Sequence, residues 1–87
     1  GNPKLRILNC NGSTKSGYGT LSTINLSYTP NLETLNLKNN KLTEINVSNL
    51  VKLTELDLSG NPGANFKIPS AIFNNLTTTK NKGVEAE

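Results

Sequence analysis

The sequence has no histidine, no tryptophan and no methionine, and only one cysteine, Cys10. A single cysteine excludes an internal disulfide. With no histidine beside that lone thiol, the usual zinc ligand sets are missing, and Cys10 has no imidazole to activate it as a nucleophile. Aromatic residues are scarce: two Tyr and two Phe. Nine basic residues give a net charge of +3, but Lys4, Arg6, Lys15, Lys38, Lys41, Lys52, Lys67, Lys80 and Lys82 are scattered and form no phosphate-binding cluster. Nucleic-acid binding is therefore not expected. No run of about 20 apolar residues is present, so no membrane insertion is expected. No cofactor, metal site or catalytic residue is expected either.

What is present is leucine, asparagine and threonine in excess. Only 33% of the 87 residues are hydrophobic, yet leucine is too abundant for a disordered segment. The leucines are ordered. The phrase Leu-x-x-(Leu/Ile)-x-(Leu/Val) occurs at Leu21, Ile24, Leu26, then at Leu32, Leu35, Leu37, then at Leu42, Ile45, Val47, and again at Leu53, Leu56, Leu58. A further copy lies upstream at Leu5, Leu8, Cys10. The last two apolar positions of each copy are two apart, so in an extended segment they share one face. A strand this short cannot bury that face alone. Stacking equivalent strands from successive turns of chain buries them all and pairs their backbones.

The true period is two copies, or 21 residues. Leu32, Leu35, Leu37 and Asn40 recur as Leu53, Leu56, Leu58 and Asn61. Leu21, Ile24, Leu26 and Ser27 recur as Leu42, Ile45, Val47 and Ser48. Asn40 and Asn61 are expected to point inward as a structural ladder, using both ends of the amide on backbone groups. The other half-unit ends in a serine-led turn. This pattern predicts a strand on each of two walls.

Leu32-x-x-Leu35-x-Leu37-x-x-Asn40-x-Leu42, with its second copy from Leu53 to Asn61, resembles the leucine-rich-repeat consensus. The wording Leu8-Asn9-Cys10 and Ile45-Asn46-Val47-Ser48 is similar to the short, 21-residue repeats of secreted and surface-attached bacterial proteins. The resemblance implies a right-handed, β-rich repeat solenoid of about three coils with a strand ladder on a concave face. It also implies a non-catalytic module that binds a protein partner at the cell surface or outside it. A structural spacer and a carbohydrate-binding module are the alternatives. The concave face offers no aromatic platform for a sugar, which weighs against the last. Gly1 fits a cleavage scar, and the chain reads as an excerpt of a longer, exported protein.

The expected leucine-rich-repeat domain spans residues 1–76. It carries a Gly- and Ser-rich insertion loop at about 11–20, with Tyr18 near the tip as a possible anchor, and a short C-terminal helix at about 69–75. Residues 77–87 are expected to be a loose polar tail. The core is predicted to hold Leu5, Leu8, Cys10, Leu21, Ile24, Leu26, Leu32, Leu35, Leu37, Leu42, Ile45, Val47, Leu53, Leu56, Leu58, Ile68, Ile72 and Leu76.

The candidate partner-binding face comprises Ile7, Asn9 and Asn11, then Thr34, Asn36 and Lys38, then Glu55, Asp57 and Ser59. Glu55 and Asp57 are close enough for paired acid and base work, but nothing apolar is predicted beside them to hold one protonated. They read as a charged corner. Asn-x-Ser/Thr sequons occur at Asn11, Asn25, Asn46 and Asn75, two of them simply repeating with the period. The ends of such a stack expose a strand edge, which makes a homodimer through the ends a further expectation.

Overall fold

The computed structural model describes residues 3–12, 21–63, 65–77 and 81–87. Its organising feature is a parallel four-stranded sheet of very short strands. These are β1 (Ile7–Asn9), β2 (Thr34–Asn36), β3 (Glu55–Asp57) and β5 (Asn81–Lys82), adjacent in that order. The register places Leu8 beside Leu35, Leu35 beside Leu56, and Leu56 beside Asn81. Each strand thus turns its middle or matching residue inward, as the two-residue spacing requires.

Pairing continues past the strand ends. The Cys10 N–H donates to the Asn36 carbonyl at 2.9 Å, and Gly12 to Lys38 at 2.9 Å. One repeat on, Leu37 donates to Asp57 and Asn39 to Ser59, each at 2.9 Å. The turn that follows needs a left-handed residue: Asn39 has φ 60° and its equivalent Gly60 has φ 73°. Asparagine and glycine adopt that conformation most readily.

The second wall departs from expectation. Residues 21–26 and 42–47 form no strand, although they carry the same apolar phrase. Among the described residues, the backbone–backbone bonds that link them to the neighbouring turns are Lys41 to Leu21 and Gly63 to Leu42. Locally, Asn25 and Asn46 accept the N–H of Ser27 (2.9 Å) and Ser48 (3.0 Å), and the Ser48 hydroxyl also reaches Asn46 (2.6 Å). Such a bond closes a local turn, as it also does where β2 and β3 end. This geometry also gives the two repeating sequons a structural reason. The wall becomes regular only beyond them. There β4 (Phe66–Ile68) pairs in parallel with β6 (Val84–Ala86), and Phe66 and Ile68 lie 21 positions after Ile45 and Val47.

The core runs through the stack: Leu26, Leu32, Leu35, Leu37, Leu42, Val47, Leu50, Leu53, Leu56, Leu58, Phe66, Ile68, Ile72 and Leu76 are buried. Leu50 and Phe66 are additions to the expected set. Leu50 sits outside the repeating phrase, in the turn where its N–H meets the Val47 carbonyl and its carbonyl meets the Leu53 N–H. Leu5, Leu8, Leu21, Ile24 and Ile45 are only half-buried against the core.

Cys10 is a correction. It aligns with the buried Leu37 and Leu58, yet it is exposed, because among the described residues no strand lies beyond β1 to cover it.

The C-terminal segment is a second correction. Instead of a loose tail it supplies β5 and β6, joined at Gly83 (φ 77°). A Cβ there would come within 2.8 Å of the Leu58 and Ser59 backbone, so the segment lies directly on the preceding turn. The helix is shorter than expected: α1 covers Ser70–Phe73, with Pro69 in the capping position and Asn74 and Asn75 in a turn. Ile68, Ile72 and Leu76 are buried and Phe73 half-buried, one face at helical spacing.

Candidate functional site: the strand-ladder face

The outward residues of the sheet fall into rows set by register. One row is Ile7, Thr34 and Glu55. The next is Asn9, Asn36, Asp57 and Lys82. Asn11, Lys38 and Ser59 continue the line where pairing runs past the strand ends. All nine candidate residues therefore lie on this ladder. Ile7, Asn9 and Asn11 are exposed, and the other six are half-buried between neighbours. Lys82 is the addition that sequence reasoning missed, since it lies in the segment expected to be loose. The signal available was weak: Asn81 stands where a leucine would, so the repeating phrase is not visible there.

Between β2, β3 and β5 lies an open hollow of roughly 210 Å³ lined by Thr34, Asn36, Glu55, Asp57 and Lys82, with Leu35 and Leu56. Thr34 donates to a Glu55 oxygen at 3.4 Å. Asp57 Oδ1 accepts the Ser59 N–H at 3.0 Å and its hydroxyl at 2.6 Å. Asn36 Oδ1 accepts the Lys38 N–H at 3.2 Å. Asn36 and Asp57 thus do the same local work, holding the chain as it leaves the ladder. Their remaining polar atoms, with Lys82, give the face hydrogen-bonding capacity and both signs of charge. Among the described residues no group of three or more His, Cys, Asp or Glu could hold a metal ion.

Behind the face, the inward asparagines tie successive turns together. Asn61 Nδ2 donates to the Leu58 carbonyl (2.9 Å) and to the Leu37 carbonyl of the previous turn (3.0 Å), while its Oδ1 accepts the Leu42 N–H (2.9 Å). Asn40 repeats this on Leu37 (3.0 Å), Cys10 (2.8 Å) and the Leu21 N–H (3.3 Å). Each amide bridges adjacent turns with donors and acceptor together, which no apolar residue can do.

At the margin of the face, Arg6 Nε and Nη2 meet the two Glu33 oxygens at 2.8 and 3.2 Å. The hydrogen bond to Glu33 raises the Arg6 pKa, and the hydrogen bond from Arg6 holds Glu33 below its ordinary carboxylate value. Both side chains are solvent-exposed, so the pair is a weak clasp between the first and second turns. Tyr18 and most of the insertion loop, residues 13–20, lie outside the described residues. Tyr28 is exposed, on a turn away from the rows.

Parallel three-residue strands stacked at a fixed period and backed by an asparagine ladder define a repeat protein. The family model described as Leucine Rich repeats (2 copies) matches residues 30–77, and the chain belongs to the leucine-rich-repeat family. Repeats of this family commonly mediate protein–protein interaction. No curated protein and no solved structure matches the chain.

Proposed function

We propose that the chain is a non-catalytic docking module, a short right-handed solenoid that binds a protein partner through the ladder face. The observation that carries this reading is the register. It aligns Asn9, Asn36, Asp57 and Lys82 in one row beside the hollow, where the side chains present amides, a carboxylate and an ammonium at strand spacing. Such a row suits polar contacts to a protein surface. It is small against the ~800 Å² per partner of a standard interface, so the affinity expected of these rows alone is modest. The likeness of the 21-residue repeats to those of exported and surface-attached bacterial proteins supports a place outside the cell.

The test is binding of the 87-residue chain to an array printed with extracellular matrix proteins and glycans, with a Thr34→Ala, Asn36→Ala, Asp57→Ala variant alongside. Binding to a protein that the variant loses supports the reading. Binding to a glycan favours a carbohydrate module, and binding that the variant retains moves the site off the ladder.

A further inference from the structure

The residues that close β2 and β3 do the same local work with different charge. Asn36 Oδ1 accepts the Lys38 N–H at 3.2 Å, and Asp57 Oδ1 accepts the Ser59 N–H at 3.0 Å. The register sets the two side by side. Asn25 and Asn46 make the equivalent bond on the second wall, to the N–H of Ser27 and of Ser48. The turn therefore needs a side-chain oxygen at this place, and a neutral amide supplies it. The negative charge of Asp57 is more than the turn uses. Asp57 is half-buried and lines the hollow of the ladder face. Both of its hydrogen bonds to Ser59 are taken on Oδ1, so among the described residues Oδ2 keeps its capacity to accept.

Two ammonium groups flank that carboxylate along the stack. Lys82 is its register neighbour on β5, one strand spacing of about 4.8 Å away. Lys38 lies two positions past Asn36 on the other side, at a diagonal of roughly 7–8 Å. Among the described residues neither forms an ion pair with Asp57. The face thus runs positive, negative, positive from the second turn to the last. A polyanion or a polycation meets like charge somewhere on such a face, and like-charge juxtaposition is costly. A segment with the opposite alternation meets none.

Given the docking role proposed for this face, we infer that Asp57 sets its specificity and that the occupant is a partner-protein segment presenting one basic side chain between two acidic ones. The basic side chain meets Asp57, and the acidic ones meet Lys38 and Lys82. Alternate residues of an extended segment stand about 6.6–6.8 Å apart on one face, a spacing that flexible Glu and Arg side chains adapt to both gaps. Because the signs alternate, these charges select the partner and its register more than they raise affinity.

The experiment is an amide-resolved NMR titration of the 87-residue chain, into the millimolar range, with two end-blocked synthetic peptides. One contains Glu-Thr-Arg-Thr-Glu and the other the same residues as Glu-Thr-Glu-Thr-Arg, so their net charges are equal. The expected result is saturable shifts at the amides of Lys38, Ser59 and Lys82, with the first peptide bound roughly fivefold or more tighter than the second. Asp57→Asn keeps the oxygen that closes the turn, as Asn36 does one turn earlier, and melting curves check its fold. It should weaken the first peptide by roughly threefold. The sign is diagnostic, because the variant makes the chain more positive and the peptide is net negative, so general attraction would strengthen binding instead. Lys82→Gln is the second variant and should also weaken the first peptide. Equal binding of the two peptides at the ladder amides, or an Asp57→Asn chain that binds the first peptide as well or better, overturns the charge order and leaves the docking face standing. Shifts at other amides only, or none with either peptide, overturn it too. The docking role is then judged separately, by whether array binding is lost in the triple-alanine variant.

Discussion

The middle turns and the first turn are written in nearly the same words, and they fare differently. Leu35 and Leu56 sit between like strands and are fully buried. Leu8, at the same place in the repeating phrase and with the same inward direction, is half-buried, and Cys10 is exposed where Leu37 is sealed. The difference lies outside the residue itself. In a stack, burial is supplied by the turn above and the turn below, so a position has an environment only when both are present. The C-terminal turn shows the other solution. It pairs with β3 and β4, but with Asn81 at the leucine position and exposed polar residues, so it needs less cover.

The sharpest test of this comparison is truncation of the leucine layer at both places. Leu35→Ala or Leu56→Ala should cost ~2–5 kcal/mol, while Leu8→Ala at the end should cost clearly less, because part of its surface is never withdrawn from water. Urea unfolding of the three variants measures this, and equal losses would dissolve the distinction between interior and end.

Next in size is the asparagine ladder. Asn61→Ala strands the Leu42 N–H and removes a donor shared by the Leu37 and Leu58 carbonyls. The expected cost is ~1–3 kcal/mol. Asn61→Asp should restore little, since a carboxylate accepts from Leu42 but cannot donate. A full rescue by aspartate in chemical denaturation at neutral pH would contradict the assigned hydrogen bonds.

A smaller and more local effect is expected at Gly83. Alanine there combines a left-handed backbone with a Cβ pressed on the Leu58 and Ser59 backbone, at a cost of ~1–3 kcal/mol for a strained residue. Because β5 is only two residues long, the loss should fall on the last turn. Hydrogen exchange should rise for residues 81–87 while the Leu37 amide, bonded to the Asp57 carbonyl between the middle turns, stays protected. Uniform loosening of the whole stack would mean that the C-terminal turn and the middle are one cooperative unit.

The least effect belongs to the Arg6–Glu33 clasp. Glu33 has a lowered pKa in the folded chain. Its contribution is therefore present above the unfolded carboxylate pKa and is lost as pH falls through the lower folded value. Glu33→Gln should remove this acid-range dependence and leave neutral-pH stability almost unchanged, as an exposed pair does. A stability–pH curve identical to that of the unmodified chain would show that the clasp is not formed in solution.

The period, the family, the inward leucines and the inward asparagines were legible in the sequence, because each rests on spacing that a two-residue alternation and a 21-residue repeat translate directly into direction. The candidate ladder residues were legible for the same reason. The helix was foreseen from Pro69 and the Ile68, Ile72, Leu76 spacing, although its ends moved. Leu50 was hidden because it lies in a turn outside the repeating phrase. Lys82 was hidden because its strand carries no leucine.

The sequence by itself therefore determined which way each side chain turns and how far apart equivalent turns are. Only the tertiary structure decided how much each of those side chains is covered. Leu21–Leu26 and Leu42–Val47 stay irregular because, among the described residues, only single backbone bonds, Lys41 to Leu21 and Gly63 to Leu42, tie them to the next turn, while 81–86 becomes strand because β3 and β4 offer it a free edge. Direction is a local property of the backbone. Cover and pairing depend on neighbours that stacking alone brings together.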